Sequence, residues 1–139
     1  MVREVSGNRN AADISALEHY PGFAVIDCDD GYVRTSPVAS FAASPWGLYD
    51  IYGNVWEWVQ DWYGEYSDEP QQNPTGPESG SNRVRRGGSW GSVAEYCRSA
   101  YRGRYQPEDR DVGLGCRVAR GPSPSQSSQS SSGAESGSR

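Results

Sequence analysis

Asn54-Val55-Trp56-Glu57-Trp58-Val59-Gln60-Asp61-Trp62 is the stretch on which the fold turns. Trp56, Trp58, Gln60 and Trp62 share one parity; Val55, Glu57, Val59 and Asp61 share the other. Rings alternating with smaller residues predict a strand with one aromatic face. The Trp58 and Trp62 spacing also suits an i, i+4 helical pair, so both readings stand at this point. All five tryptophans fall between Trp46 and Trp90 in a chain of 139 residues that is only 35% hydrophobic. The expected core is therefore central and aromatic.

Outward from this stretch the signals are short. Asp13 to Tyr20 predicts a brief helix with Asp13 as N-cap, stopped by Pro21-Gly22. Phe23-Ala24-Val25-Ile26 reads as a buried strand, Asp27 to Gly31 as an acidic turn, and Pro37 to Phe41 as another extended piece. Gly64 to Asn82, with Asn73-Pro74-Thr75-Gly76-Pro77 inside it, reads as a long surface loop. Gly87-Gly88 marks a bend or a close backbone approach. Cys97 to Tyr101 and Gly115 to Ala119 read as two more strands. The expected class is α+β: loop-rich, with short strands and little helix. Residues 121–139 hold nine serines and one apolar residue, too little to offset the entropy of ordering, and are expected to be a disordered tail behind one folded unit over 1–120.

Composition excludes several functions. A single histidine, His19, rules out sites that need two imidazoles, and a chain with no lysine cannot carry a Walker A loop. No apolar run approaches a membrane span, and no secretory signal follows Met1, so the compartment is left open. Residues 1–82 hold three Arg against thirteen acids, whereas 83–120 hold nine Arg against four. Overall acidity, with a net charge of −5, argues against a nucleic-acid partner. The expected use of this asymmetry is internal, with at least two of Arg98, Arg102 and Arg117 pairing with carboxylates of the acidic half. Cys28, Cys97 and Cys116 are an odd number without a C-x-x-C. One bridge and one free thiol, or three free thiols, both fit.

Four segments in order carry a resemblance. They are Trp46-Gly47-Leu48-Tyr49-Asp50-Ile51-Tyr52-Gly53-Asn54-Val55-Trp56-Glu57-Trp58, Arg83-Val84-Arg85-Arg86-Gly87-Gly88-Ser89-Trp90, Arg98-Ser99-Ala100-Tyr101-Arg102, and Gly113-Leu114-Gly115-Cys116-Arg117-Val118. Upstream, Asp30-Gly31-Tyr32 precedes Thr35-Ser36-Pro37-Val38. The set resembles the formylglycine-generating enzyme family, the sulfatase-modifying factors. The resemblance implies a loop-rich variant of the C-type-lectin-like fold, of which this chain is similar to the C-terminal part.

It also implies two calcium positions. One would use Asn10, the Ala11 carbonyl, Asp30 and the Tyr32 carbonyl; the other Asp50, the Gly53 and Val55 carbonyls, and Glu57. An EF-hand does not explain the acids, since position 12 counted from Asp27 is Val38. The plainer reading of Asp50 and Glu57 is solvated or Arg-paired carboxylates. For catalysis, the family's copper(I) is held by two cysteines five apart, soft thiolates suited to that ion. The matching positions here are Ser92 and Cys97, so the pair is incomplete. Cys97 alone reads as a buried inert thiol. Ser89, Trp90, Arg98, Tyr101 and Arg102 are the candidate substrate-binding residues, mixing rigid rings with forked donors.

The expected function is accordingly a calcium-stabilised, non-catalytic binding or accessory module. Its expected partner is a protein or peptide rather than nucleic acid or membrane. The alternative is a formylglycine-generating oxidase that converts a sulfatase cysteine. A histidine-dependent sulfoxide synthase fails on His19 alone, and a retroelement-diversified ligand binder cannot be read from one sequence.

Overall fold

The computed structural model describes residues 9–120. The Ser-rich stretch 121–139 lies outside the described residues. The chain runs through a 3-10 turn η1 (Ile14–Ala16), strand β1 (Trp56–Trp62), β2 (Arg83–Arg86), a 3-10 turn η2 (Ala94–Cys97), β3 (Gly103–Tyr105) and β4 (Leu114–Cys116). The four strands form one mixed sheet in the order β3-β2-β1-β4. β1 runs antiparallel to β2 and parallel to β4, and β2 runs antiparallel to β3. Among the described residues no helix is long and apolar enough to cross a membrane.

The tryptophan alternation resolves as a strand, but not as one buried face. Trp58 pairs with Arg85 and Trp62 with Arg83, so β1 bulges between them. Only Trp56 is buried, against Tyr96 and Tyr101. Trp58 meets Tyr105 edge-on, and Trp62 lies under the Arg83 guanidinium at 3.5 Å. Arginines of the second half are thus met by rings more than by carboxylates, which orients them without cancelling their charge.

Several expected elements are shorter than their sequence signals or shifted. The helix at Asp13 closes after one turn. Asp13 does cap it, accepting from the Ser15 N–H at 3.0 Å, but Ile14 and Leu17 are exposed, so no apolar face docks to extend it. The strand expected at Phe23–Ile26 reduces to one bridge, Asp13 to Ile26, and Phe23 is exposed. Pro37 to Phe41 turns instead of extending, with Ala39 at φ +61°. Of the strand expected at Cys97–Tyr101, Cys97 ends η2, the next residues bend and turn, and pairing starts only at Gly103. The last strand covers Leu114–Cys116 rather than Gly115 to Ala119.

The apolar core is small. Ala11, Ala12, Ala16, Trp56, Val84 and Cys97 are buried, while eleven large apolar side chains among the described residues are exposed, Trp46 at 79%. Polar groups share the interior: Asn10, Asp13, Ser36, Asn54, Ser89 and Ser92. Hydrogen-bonded turns therefore do much of the organising that a larger core would do.

Candidate functional site

The segments that carry the functional residues cross at Gly53-Asn54. Gly53 donates its N–H to Gly87 O at 2.7 Å, and Asn54 donates to Asn10 O at 2.6 Å. The Asn54 side chain clasps Ser36, accepting from its N–H and donating to its carbonyl. Trp90 N–H returns to Asn54 O at 2.9 Å. Gly53 sits at φ +84°, and a Cβ there would fall 1.9 Å from Asn10 O, so the crossing admits only glycine. Residues far apart in sequence, near 10, 36, 54 and 88, are thereby fixed around one point.

Ser92 and Cys97, the pair that the resemblance matches to copper ligands, lie just beyond it. Cys97 ends η2 and is 1% exposed. Its Sγ lies where a side chain on Gly88 would be, 2.6 Å from a Cβ built there. Burial pushes the thiol pKa up, while the Arg9 guanidinium, hydrogen-bonded to it, pulls the other way. Ser92 is 4% exposed, and its Oγ accepts the Ser89 N–H at 2.9 Å and lies 3.2 Å from Ser89 Oγ. Its own N–H returns to Ser89 O at 2.9 Å. The hydroxyl thus closes a turn. Cys28, Cys97 and Cys116 form no disulfide.

The candidate substrate-binding residues are spread over separate aromatic groups. Trp90 tilts against Tyr20, which stacks on Phe23. Tyr101 packs on Tyr96 and Trp56. Arg102 lies 3.8 Å over Tyr66. Ser89 is buried at the turn with Ser92, and Arg98 is exposed just after η2. The expectation that two of Arg98, Arg102 and Arg117 would pair with acids is corrected. Among the described residues the one ion pair is Arg117 with Glu57, because tyrosine faces reach Arg102 first.

The oxygen-rich positions take two forms. At the first, Asn10 is buried, donates Nδ2 to Arg34 O at 2.7 Å, and has no partner for Oδ1. Asp30 Oδ2 is likewise closed off without a partner, while Oδ1 accepts the Tyr32 N–H at 2.8 Å. Burial first, then the nearby Asp13 and Asp29 carboxylates, push Asp30 up to about 6 against the N–H groups of Tyr32 and Ala11. Asp13, which sequence reasoning treated only as a cap, is fully buried and also accepts the Asp30 N–H at 2.6 Å, tying η1 to the acidic turn.

At the second position Asp50, Val55 and Glu57 border a cavity of about 320 Å³ together with Cys116 and Arg117. Asp50 is held at φ +52°; its Oδ2 accepts the Ala39 N–H and its Oδ1 has no partner. Both Glu57 oxygens are taken by Arg117, Nε at 2.9 Å and Nη2 at 2.6 Å. The same Nη2 also reaches Tyr49 O and Asp50 O. Among the described residues no three His, Cys, Asp or Glu side chains form a metal cluster, so a cation at either position would draw on carbonyl and amide oxygens as well.

Comparison with known proteins follows this geometry. The model of the sulfatase-modifying factor enzyme 1-like domain matches residues 4–122. The chain belongs to this family. The formylglycine-generating enzyme of Mus musculus is 43% identical over 95 residues, covering 66% of this chain and 26% of that protein. The serine/threonine-protein kinase pkn1 of Chlamydia caviae is 45% identical over 91 residues, 63% of this chain and 15% of the kinase. Among solved structures, Treponema denticola variable protein 1 superposes with a TM-score of 0.59 at 39% identity, covering 63% of this chain and 32% of that one. The chain therefore spans a third or less of each of these family relatives. Their fold agrees with the loop-rich α+β class.

Proposed function

We propose that this chain is a calcium-stabilised binding or accessory module of the sulfatase-modifying factor family, without copper-dependent cysteine oxidation. The observation that carries this reading is Ser92. Its hydroxyl is buried and spent on closing the turn with Ser89. A hydroxyl is a hard ligand, protonated at any working pH, and does not replace a thiolate on copper(I). Cys97 is a single buried thiol whose pKa is pushed up, which favours the protonated, inert form. The residues present do not fit the metal.

Calcium is supported by different chemistry. Asn10 Oδ1 and Asp30 Oδ2 are buried acceptors without donors, a state that costs free energy until a cation or water meets them. With the Ala11 carbonyl and that of Tyr32, which also accepts from Ser15 Oγ at 3.2 Å, they would make an all-oxygen set of the kind calcium takes. The ion would tie the 10–11 segment to the 30–32 turn, stabilising loops that six buried apolar residues do not hold alone. Recognition then falls to the ring and guanidinium surfaces around Trp90, Tyr101 and Arg102, with a protein or peptide as partner.

A second reading, a formylglycine-generating oxidase acting on a sulfatase cysteine, is favoured by the 43% identity to the mouse enzyme and by Cys97 at the second copper position. It requires another soft ligand. Competition titration with copper(I) separates the two. The chain is expected to show no sub-nanomolar copper binding, and Ser92→Cys is expected to create it. Tight binding by the natural chain that disappears in Cys97→Ala would overturn the non-catalytic reading. For calcium, equilibrium dialysis of the folded protein is expected to give at least one bound ion per chain, and none would remove that part.

A further inference from the structure

We propose that the cleft under the 64–77 loop binds a peptide carboxylate through the guanidinium groups of Arg86 and Arg102. The inference rests on the recognition reading above and gives it a place and a ligand chemistry. The loop closes on itself. A Cβ on Gly64 would come within 2.7 Å of the Pro77 ring, and one on Gly76 within 3.0 Å of Trp62 O at the end of β1. Compact loops whose ends meet often carry function. This one encloses about 760 Å³, within the range of small-ligand sites.

Two guanidiniums line this cleft. Arg102 lies 3.8 Å over the Tyr66 ring and 5.2 Å from that of Tyr63, and donates Nη2 to Gly64 O at 2.5 Å. Arg86 donates Nη1 to Ser99 O at 2.8 Å and to Tyr101 O at 3.4 Å, and its Nη2 donates to Tyr66 Oη at 3.5 Å, which leaves Nε and one Nη2 hydrogen. Tyr66 is itself anchored, donating to Ala100 O at 2.7 Å. Rings and neutral carbonyls thus orient both cations without cancelling their charge. Asp61, Glu65 and Glu69 line the same cleft, yet neither arginine forms an ion pair with them. Arg102 Nε is closed off from solvent, so the terminal N–H groups not spent on Gly64 O are the ones left to face a ligand. Pre-oriented forks with spare donors match a carboxylate, whose two oxygens take parallel N–H groups.

Two features select a peptide carboxylate over a phosphate. The three acids on the walls repel a dianion more than a monoanion. Gln71, Gln72 and Asn73 on the loop offer both donors and acceptors, which suits amide backbone, and Tyr66 is 61% exposed as a flat apolar contact. The carboxylate could come from an acidic side chain or from a chain terminus.

The test is titration of the full chain, followed through the arginine Nε–H resonances by NMR. The probes are Ac-Gly-Glu-Gly-NH2, Ac-Gly-Gly-Gly-OH, the neutral Ac-Gly-Gln-Gly-NH2, and inorganic phosphate. A saturable shift with one of the acidic peptides, at least tenfold weaker with the glutamine peptide, is expected. The stronger acidic peptide identifies the source as side chain or terminus. Arg102→Gln should abolish the response. Because Arg102 also holds the loop, Glu69→Gln is the independent variant: it removes a rim charge from an exposed side chain and should tighten the acidic peptide about twofold. No saturable shift, equal binding of the glutamine peptide, phosphate binding above either acidic peptide, or an affinity indifferent to Glu69→Gln would overturn the proposal. Tight copper binding would instead overturn the reading it rests on, so the two failures are distinguishable.

Discussion

The two oxygen-rich positions differ in what already meets their charge. At Asn10 and Asp30 two oxygens are buried without donors, and the carboxyl is pushed up to about 6. At Asp50 and Glu57 one oxygen lacks a donor, but Arg117 spans Glu57 and the carbonyls of Tyr49 and Asp50. Similar oxygen types, both implied by the family resemblance, thus leave different demands. At the first position no donor meets Asn10 Oδ1 or Asp30 Oδ2, whereas at the second the Arg117 guanidinium, just after β4, meets Glu57. The resemblance treats both alike; only the contacts separate them.

The largest effect should come from the residue that joins the two. Gly53, whose carbonyl the resemblance assigns to the second set, bridges to Asn10 of the first. Gly53→Ala places a Cβ 1.9 Å from Asn10 O at φ +84°. The expected cost is about 4 kcal/mol or more, enough to abolish cooperative unfolding in a domain with so small a core. Gly31→Ala is the control, since Gly31 has a similar φ, +83°, but open space around its Cβ. It should cost only about 1 kcal/mol for the left-handed backbone. Equal costs in urea unfolding would show that the crossing is not sterically closed.

The next effect isolates the first position through pH. Asp30 is held at about 6, against an ordinary 3.8, so in calcium-free buffer the folded chain binds this proton more tightly than the unfolded chain. The stability difference is therefore greatest below about 4, falls as pH rises through 6, and is flat above. After allowance for solvent screening the fall amounts to about 1–2 kcal/mol. Asp30→Asn should remove the slope and the calcium affinity together. Stability at pH 7 should rise on adding calcium to the natural chain and not to the variant. A slope that survives Asp30→Asn would assign it to another group.

How much of this was legible in advance depends on range. Asp13 as a cap, Gly87-Gly88 as a close approach and the 64–82 loop were readable because one residue's conformational preference decides each. The strand at β1 was readable from alternation, but its bulge was not, since the two extra residues show only against Arg83 and Arg85. The misplaced strands at Phe23 and Pro37 have a common cause. Short apolar runs predict burial, and here little core exists to receive them. Ser92 and Cys97 could be placed from motif spacing. That Ser92 would cap a turn, that Arg117 would claim Glu57, and that Arg102 would choose Tyr66 over a carboxylate are contacts across 3, 60 and 36 residues. No local pattern encodes the longer two.

The smallest effect sharpens the second position. The Arg117 and Glu57 side chains are 37% and 24% exposed, so loss of the pair alone should cost no more than about 1 kcal/mol. Arg117→Gln removes the guanidinium that holds both Glu57 oxygens and two carbonyls, leaving Asp50 Oδ1 and Glu57 facing one cavity without a cation. The variant should then bind one more calcium ion per chain than the natural sequence, and thermal unfolding should become calcium-dependent at concentrations that leave the natural chain unchanged. If stoichiometry stays fixed while stability falls, Arg117 is only a structural tie. If the natural chain already binds at both positions, the guanidinium and the ion share Glu57, and the contrast between the two positions collapses to a difference in affinity.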